Sequence, residues 1–356
     1  MATSHWLGEP PSGGQGTAAL ALARIAAGVA RDVTVDAVVE LEYAAREAEP
    51  ELGGRFGTGT AGGAAAVRRR NGRSRRCRLE GVSSLGLREE DGADEPWAVL
   101  FDPARLLRGI GAVPVARRAG ECVELALVPH LLCADPGDEW LPPGAGRLVV
   151  RVDADTGFLR SAELYDAHGA LATARVVELD VREVRDASEG AGRVLGRMAR
   201  TLVEPVELTG GVVEVEADPH DDLGFEAFEV PGGARRSWDV SVRGKELALT
   251  GDYAPERTGP VAARLAELLT PGRIVGHLSR VEAQPGGTDD SVRAVVRPMR
   301  AFPFSAWAPD EGLTCEFTVD PGTGLLVRAE ARSEEGVVFR HVVTRVTAAG
   351  RERKGR

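Results

Sequence analysis

The sequence predicts an α+β fold: two tandem repeats, each a curved antiparallel β-sheet (a half-barrel) covered by one or two helices. Three observations lead there. The stretch from Arg147 to Gly169 recurs as Thr314 to Gly336. Each copy alternates β-branched runs with short Asp/Gly turns, the pattern of strands joined as antiparallel neighbours. A helical segment and a first set of strands precede each copy at matching places.

The repeat is best seen from Val152 to Val176, which holds nine identities in twenty-five positions against Val319 to Val343. Composition alone would give about one or two. In the first copy Leu148–Val152 is a strand and Asp153-Ala154-Asp155-Thr156-Gly157 a turn. There the short Asp side chains bond local amides and Gly157 supplies a positive φ. Phe158–Tyr165 and Ala170–Leu179 are the next strands, with a second turn at Asp166–Gly169. Asp155-Thr156-Gly157 also spells the active-site triplet of aspartic proteases, but that chemistry needs two carboxylates sharing a proton. The second copy carries Gly322-Thr323-Gly324, so the partner aspartate is missing and the triplet reads as a turn.

Taken in order, residues 1–16 read as a disordered Gly/Pro/Ser-rich tail. Residues 17–184 form the first unit, 185–190 a linker, 191–349 the second unit and 350–356 a basic tail. Thr17 to Arg31 is a helix with Thr17 as its cap, and Val33 to Tyr43 alternates as a strand. An Asn71-Gly72 hairpin signal lies between arginines. Leu79–Leu87 follows as a strand, and Asp102-Pro103 starts a short helical crossover. Val113–Val115 and Glu121–Val128 are strands. The second unit repeats the plan: a helix from Ala191 to Glu204, strands at Val206–Ala217, Arg236–Arg243 and Glu246–Thr250, a crossover near Thr270-Pro271, a strand at Val292–Pro298, then the repeated stretch. An antiparallel sheet with one apolar face must cover it, and the two helices are the available cover.

Composition bounds the function. With 43% hydrophobic and 28% charged residues the 356-residue chain is a soluble globular protein, long enough for two domains. Its net charge of −10 repels nucleic acid and anionic membrane. Basic residues are almost all Arg, beside many Ala and Gly, which reads as GC-rich, actinobacterial coding bias. Cys77, Cys122, Cys133 and Cys315 lack zinc spacing and read as free thiols in a reducing compartment. No run reaches the roughly 20 apolar residues of a membrane span, and the N-terminus lacks signal-peptide features, so the expected location is cytoplasmic.

The elements just quoted resemble the LolA-like superfamily: the lipoprotein carrier LolA, the sigma-factor regulator RseB, and the mycobacterial lipoproteins of the LppX and LprG kind. The resemblance rests on the leading helix into Val38–Glu42, the Trp97…Asp102-Pro103 crossover, and the Val152-Asp153…Thr156-Gly157-Phe158-Leu159-Arg160 hairpin. It implies a curved sheet closing over helices around an apolar cavity or groove, for acyl chains or a partner's extended segment.

No catalytic residue, metal site or cofactor is expected. There is no Walker loop or GxSxG motif, and His220-Asp221-Asp222 reads as a solvated loop. Trp97, Phe101, Trp140, Trp238, Phe302, Phe304 and Trp307 are the candidate lining of a cavity or groove. Arg68, Arg69, Arg70, Arg73, Arg75 and Arg76 are a candidate patch for an anionic partner, without the interleaved aromatics that base stacking needs. The expected function is a non-catalytic binding protein holding a lipid or other apolar ligand in a half-barrel cavity. The alternative is a cytoplasmic protein-interaction or regulatory module with filled cores and no small ligand. An open, lined apolar cavity separates the first from the second.

Overall fold

The computed structural model describes residues 14–43, 73–79, 103–129, 146–166, 169–185, 189–204, 207–216, 234–243, 246–251, 268, 271–284, 290–296, 313–334, 336–348 and 351–354. They form two antiparallel sheets and few helices, as an α+β fold requires.

The first sheet is built from β1 (Asp32–Tyr43), β2 (Arg73–Leu79), β3 (Ile110–Ala119), β4 (Cys122–Pro129), β5 (Arg147–Asp153), β6 (Leu159–Asp166) and β7 (Gly169–Arg185), in the order β2-β1-β7-β6-β5-β4-β3. The second uses β8 (Glu207–Glu216), β9 (Ala234–Arg243), β10 (Glu246–Gly251), β11 (Leu278–Ala283), β12 (Ser291–Val296), β13 (Thr314–Val319), β14 (Leu326–Ser333) and β15 (Gly336–Ala348). Its order is β10-β9-β8-β15-β14-β13-β12-β11, with β16 (Arg351–Lys354) paired to β15. Within each sheet the long strand β7 or β15 joins the late strands to an early one, β1 or β8.

Period-2 patterning sets which face is buried. On β4, Val123, Leu125 and Leu127 point inward, and on β5, Leu148, Val150 and Val152. Across the second sheet Val292, Ala294, Cys315, Phe317, Val319, Ala329 and Ala331 do the same. Helix α1 (Gly14–Ala27) lies on β3 and β4, and helix α3 (Glu189–Arg200) lies on β11, β12 and β13. The two helices also pack on each other. Being covered from two sides explains the alanines of α1: Ala18, Ala19, Ala21, Ala23, Ala26 and Ala27 are all buried with Leu22 and Ile25. Where the helices meet, a Cβ on Gly192 would lie 3.4 Å from the Ala27 Cβ, so small residues set the spacing. The one-turn helix α2 (Arg105–Arg108) packs on the 3-10 turn Ile274–His277. A Cβ on Gly276 would come within 2.8 Å of the Arg108 amide, so only glycine permits that approach. Buried residues of both sheets and both helices therefore form one continuous apolar cluster.

Several sequence expectations are revised. Helix α1 begins at Gly14, so Thr17 lies inside it rather than capping it. Helix α3 ends at Arg200 and the chain turns through Thr201–Glu204. The strand expected at Val113–Val115 runs ten residues, from Ile110 to Ala119. The basic tail expected at 350–356 contributes strand β16, paired to β15. The predicted strand over residues 80–87 and the start of the crossover at Asp102 lie outside the described residues.

Candidate functional site

Two equivalent turns show how the repeated stretch works. Asp153 Oδ1 accepts from the Thr156 amide at 2.9 Å, the Thr156 hydroxyl at 2.9 Å and the Asp155 amide at 3.1 Å. Asp320 Oδ1 accepts from the Thr323 amide at 2.9 Å, the Thr323 hydroxyl at 2.9 Å and the Gly322 amide at 3.0 Å. Gly157 and Gly324 follow at φ 79° and 73°. Each presses on a helix: a Cβ on Gly157 would lie 2.6 Å from the Arg24 carbonyl oxygen of α1, and one on Gly324 would come still closer to the Arg197 carbonyl oxygen of α3. Glycine is required at both points for backbone conformation and for space. The turns thus lock each sheet to its helix.

Asp153 is the anchor of its turn. Burial pushes its carboxyl up, but the Thr156 hydrogen bonds and the Arg160 guanidinium at 2.8 Å outweigh that and hold it below the usual carboxylate range. Asp155, the residue of the protease-like triplet, is exposed, and its amide serves Asp153. The geometry is that of a structural turn.

The inner faces of the sheets are where an apolar ligand would sit. Among the described residues these faces meet the two helices: Leu22, Ile25, Val194, Leu195 and Met198 are each fully buried against them. Of the candidate lining residues, Trp97, Phe101, Trp140, Phe302, Phe304 and Trp307 lie outside the described residues. Trp238 is placed on β9, opposite Val212 and Gly251.

Of the candidate basic patch, Arg68, Arg69 and Arg70 lie outside the described residues. Arg73, Arg75 and Arg76 fall on β2, the edge strand of the first sheet, opposite Leu41, Val39 and Val38 of β1.

Among the described residues no group of His, Cys, Asp and Glu is placed to hold a metal ion, and no helix is long and apolar enough to cross a membrane. Cys122 is half-buried and Cys315 fully buried, both as free thiols. Burial pushes the Cys315 thiol up to about 12, and burial together with Asp153 raises Cys122.

The sequence reading missed one charged cluster. Glu330 on β14 is 1% exposed, yet three guanidiniums reach its carboxylate: Arg328 at 2.7 Å, Arg332 at 3.2 Å and Arg340 of β15 at 2.6 Å. Burial pushes its carboxyl up, and the hydrogen bonds from Arg328 and Arg340 bring it below the usual range. No sequence motif marks it, because register rather than spacing gathers the residues: Arg340 is the cross-strand partner of Glu330.

No protein-family model matches the chain, and no curated protein matches it. Among solved structures it is similar to a crystal structure of MucB, at 17% identity over 46% of this chain and 60% of that one, with a TM-score of 0.26. It is also similar to the complex structure of Pseudomonas aeruginosa MucA/MucB, at 12% identity over 91% and 93% of the two chains, with a TM-score of 0.23. The chain thus spans less than two thirds of the first of these structures.

Proposed function

We propose that the chain is a non-catalytic binding protein that works through a protein partner rather than a lipid. In this reading it consists of two tandem LolA-like units, residues 17–184 and 191–349, each a half-barrel whose concave face is filled by its own helix. The observation that carries it is the packing of α1 and α3: Leu22, Ile25, Leu195 and Met198 occupy the inner faces with no exposed surface. A packed interior leaves its lining no room for an acyl chain without displacing a helix, and displacing one would expose a large part of a continuous core. Duplication accounts for the matched turns at Asp153 and Asp320 and for the parallel strand orders of the two sheets. Full burial of Leu22, Ile25, Leu195 and Met198 favours this reading over the lipid-holding alternative, which requires an open apolar cavity.

The test pairs two measurements on the full chain. One is titration with a fluorescent fatty-acid analogue; the other is cross-linking in the host cell followed by mass spectrometry of the adducts. The proposal expects no saturable fatty-acid binding and a recurrent protein adduct. Saturable, stoichiometric fatty-acid binding with no protein adduct would overturn it.

A further inference from the structure

We propose that Arg328, Arg332 and Arg340, gathered on Glu330 on the outer face of β14 and β15, form a docking site for an acidic, carboxylate-bearing segment of a partner protein. This deepens the reading of the chain as a protein-binding module and rests on it. On β14, Ala329 and Ala331 face the core, so Arg328, Glu330 and Arg332 project from the opposite face.

One guanidinium would neutralise one carboxylate. Here three converge on it, leaving a local excess of two positive charges. The next strand does not cancel the excess, because Glu316, directly opposite Glu330, is taken by Arg293 at 2.8 Å and Gln284 at 2.9 Å. The three arginine side chains remain 52%, 41% and 42% exposed while the carboxylate beneath them is buried. Glu330 thus acts as a fixed post that holds the guanidiniums in place with donors still turned to solvent. Each guanidinium carries five N–H donors and spends few of them on Glu330. A pre-ordered cluster loses little side-chain freedom when it binds.

In the first sheet the matching carboxylate, which is only partly buried, is held differently. The positions matching Arg328, Arg332 and Arg340 are Ser161, Tyr165 and Thr173. Glu163, matching Glu330, accepts from the Tyr165 hydroxyl at 2.5 Å. At these three positions arginine occurs in the second sheet alone, and the arginines of the first sheet sit elsewhere, Arg147 over the Tyr165 ring and Arg151 and Arg175 opposite Ser161.

The chemistry selects the occupant. Guanidiniums pair bidentately with carboxylates. An open sheet face offers no concavity to enclose a small free anion, but an extended segment presents a carboxylate about every 6.6 Å on one side. A long nucleic acid would feel the chain's net charge of −10 along its length. A short acidic segment feels mainly what lies within about 8 Å at physiological salt.

The test uses the full chain and a fluorescein-labelled peptide of four Glu-Ala repeats, read by fluorescence anisotropy. A peptide of four Gln-Ala repeats, phosphatidylglycerol vesicles and an RNA oligonucleotide serve as competing probes. The expected result is saturable binding of the Glu peptide and none of the Gln peptide, weakened about tenfold by Arg328→Ser, roughly one charge-assisted pair. Arg332 and Arg340 still hold Glu330 in that variant, so it folds, and circular dichroism checks this. Arg328→Lys restores part of the affinity. Equal binding by R328S and the parent chain, equal binding of the Gln peptide, or arginine-dependent binding of vesicles or RNA in place of the peptide each overturns the site. The two readings fail separately: a cross-linked protein partner indifferent to R328S sinks this site and leaves the protein-binding reading. A co-purifying lipid alongside arginine-dependent peptide binding does the reverse.

Discussion

At the scale of single residues, the two Asp–Thr–Gly or Gly–Thr–Gly turns are the most strongly determined features of the chain. Gly157 sits at φ 79° with the Arg24 carbonyl against its α-carbon, so Gly157→Ala adds left-handed strain and a backbone clash at once. We expect it to cost about 2 kcal/mol or more in urea denaturation, and Gly324→Ala to cost a similar amount. An unchanged midpoint for either would refute the docking role. The buried carboxylates set a pH dependence. Asp153 and Glu330 both titrate below their ordinary values in the folded state, so the stability they contribute is complete above the ordinary carboxylate range and lost as pH falls through the lowered values. The stability curve should therefore bend down below about pH 4 to 5, and Asp153→Asn should make that limb shallower. Cys315, fully buried and raised to about 12, should resist maleimide at pH 8 in the native protein while half-buried Cys122 is slowly labelled. Mass mapping of the labelled peptides decides this. The turns were legible in the sequence because their chemistry is local: an Asp side chain, a Thr hydroxyl and a Gly within five residues. The Glu330 cluster was not, because its third arginine arrives from the next strand by register.

At the scale of elements, legibility followed the strength of the period. β5, β6 and β13, with β-branched runs beside tight turns, stood out. β3 did not show its full length and β11 was not read at all, because both are edge strands with register shifts, and a strand paired on one side needs no clean alternation. β16 was hidden by its composition, Arg-Glu-Arg-Lys, which gives no apolar signal; its pairing to β15 is a backbone event. Helix α3 was legible from Val194, Leu195 and Met198 on one side, but its partner was not. Nothing local announces that α1 and α3 touch, and only the run of alanines in α1, read afterwards, explains how closely. Leu195→Ala should destabilise by about 2–5 kcal/mol, the cost of a cavity in a site with no exposure.

At the scale of the whole molecule, the duplicated pattern and the single core give one testable consequence. Since both sheets and both helices share one apolar cluster, Leu22→Ala in the first half and Leu195→Ala in the second should shift the same cooperative transition. Two separable transitions, each moved by one substitution, would instead mean two independent cores. A shared core also bears on function: the helices that would have to leave for an apolar ligand to enter are the ones joining the halves.

The claim that the concave faces are filled is tested most directly by native mass spectrometry of the full chain purified from its own host, with organic extraction of anything bound. The account predicts the mass of the bare chain, unchanged after incubation with offered lipids. A stoichiometric lipophile that leaves on denaturation would contradict it.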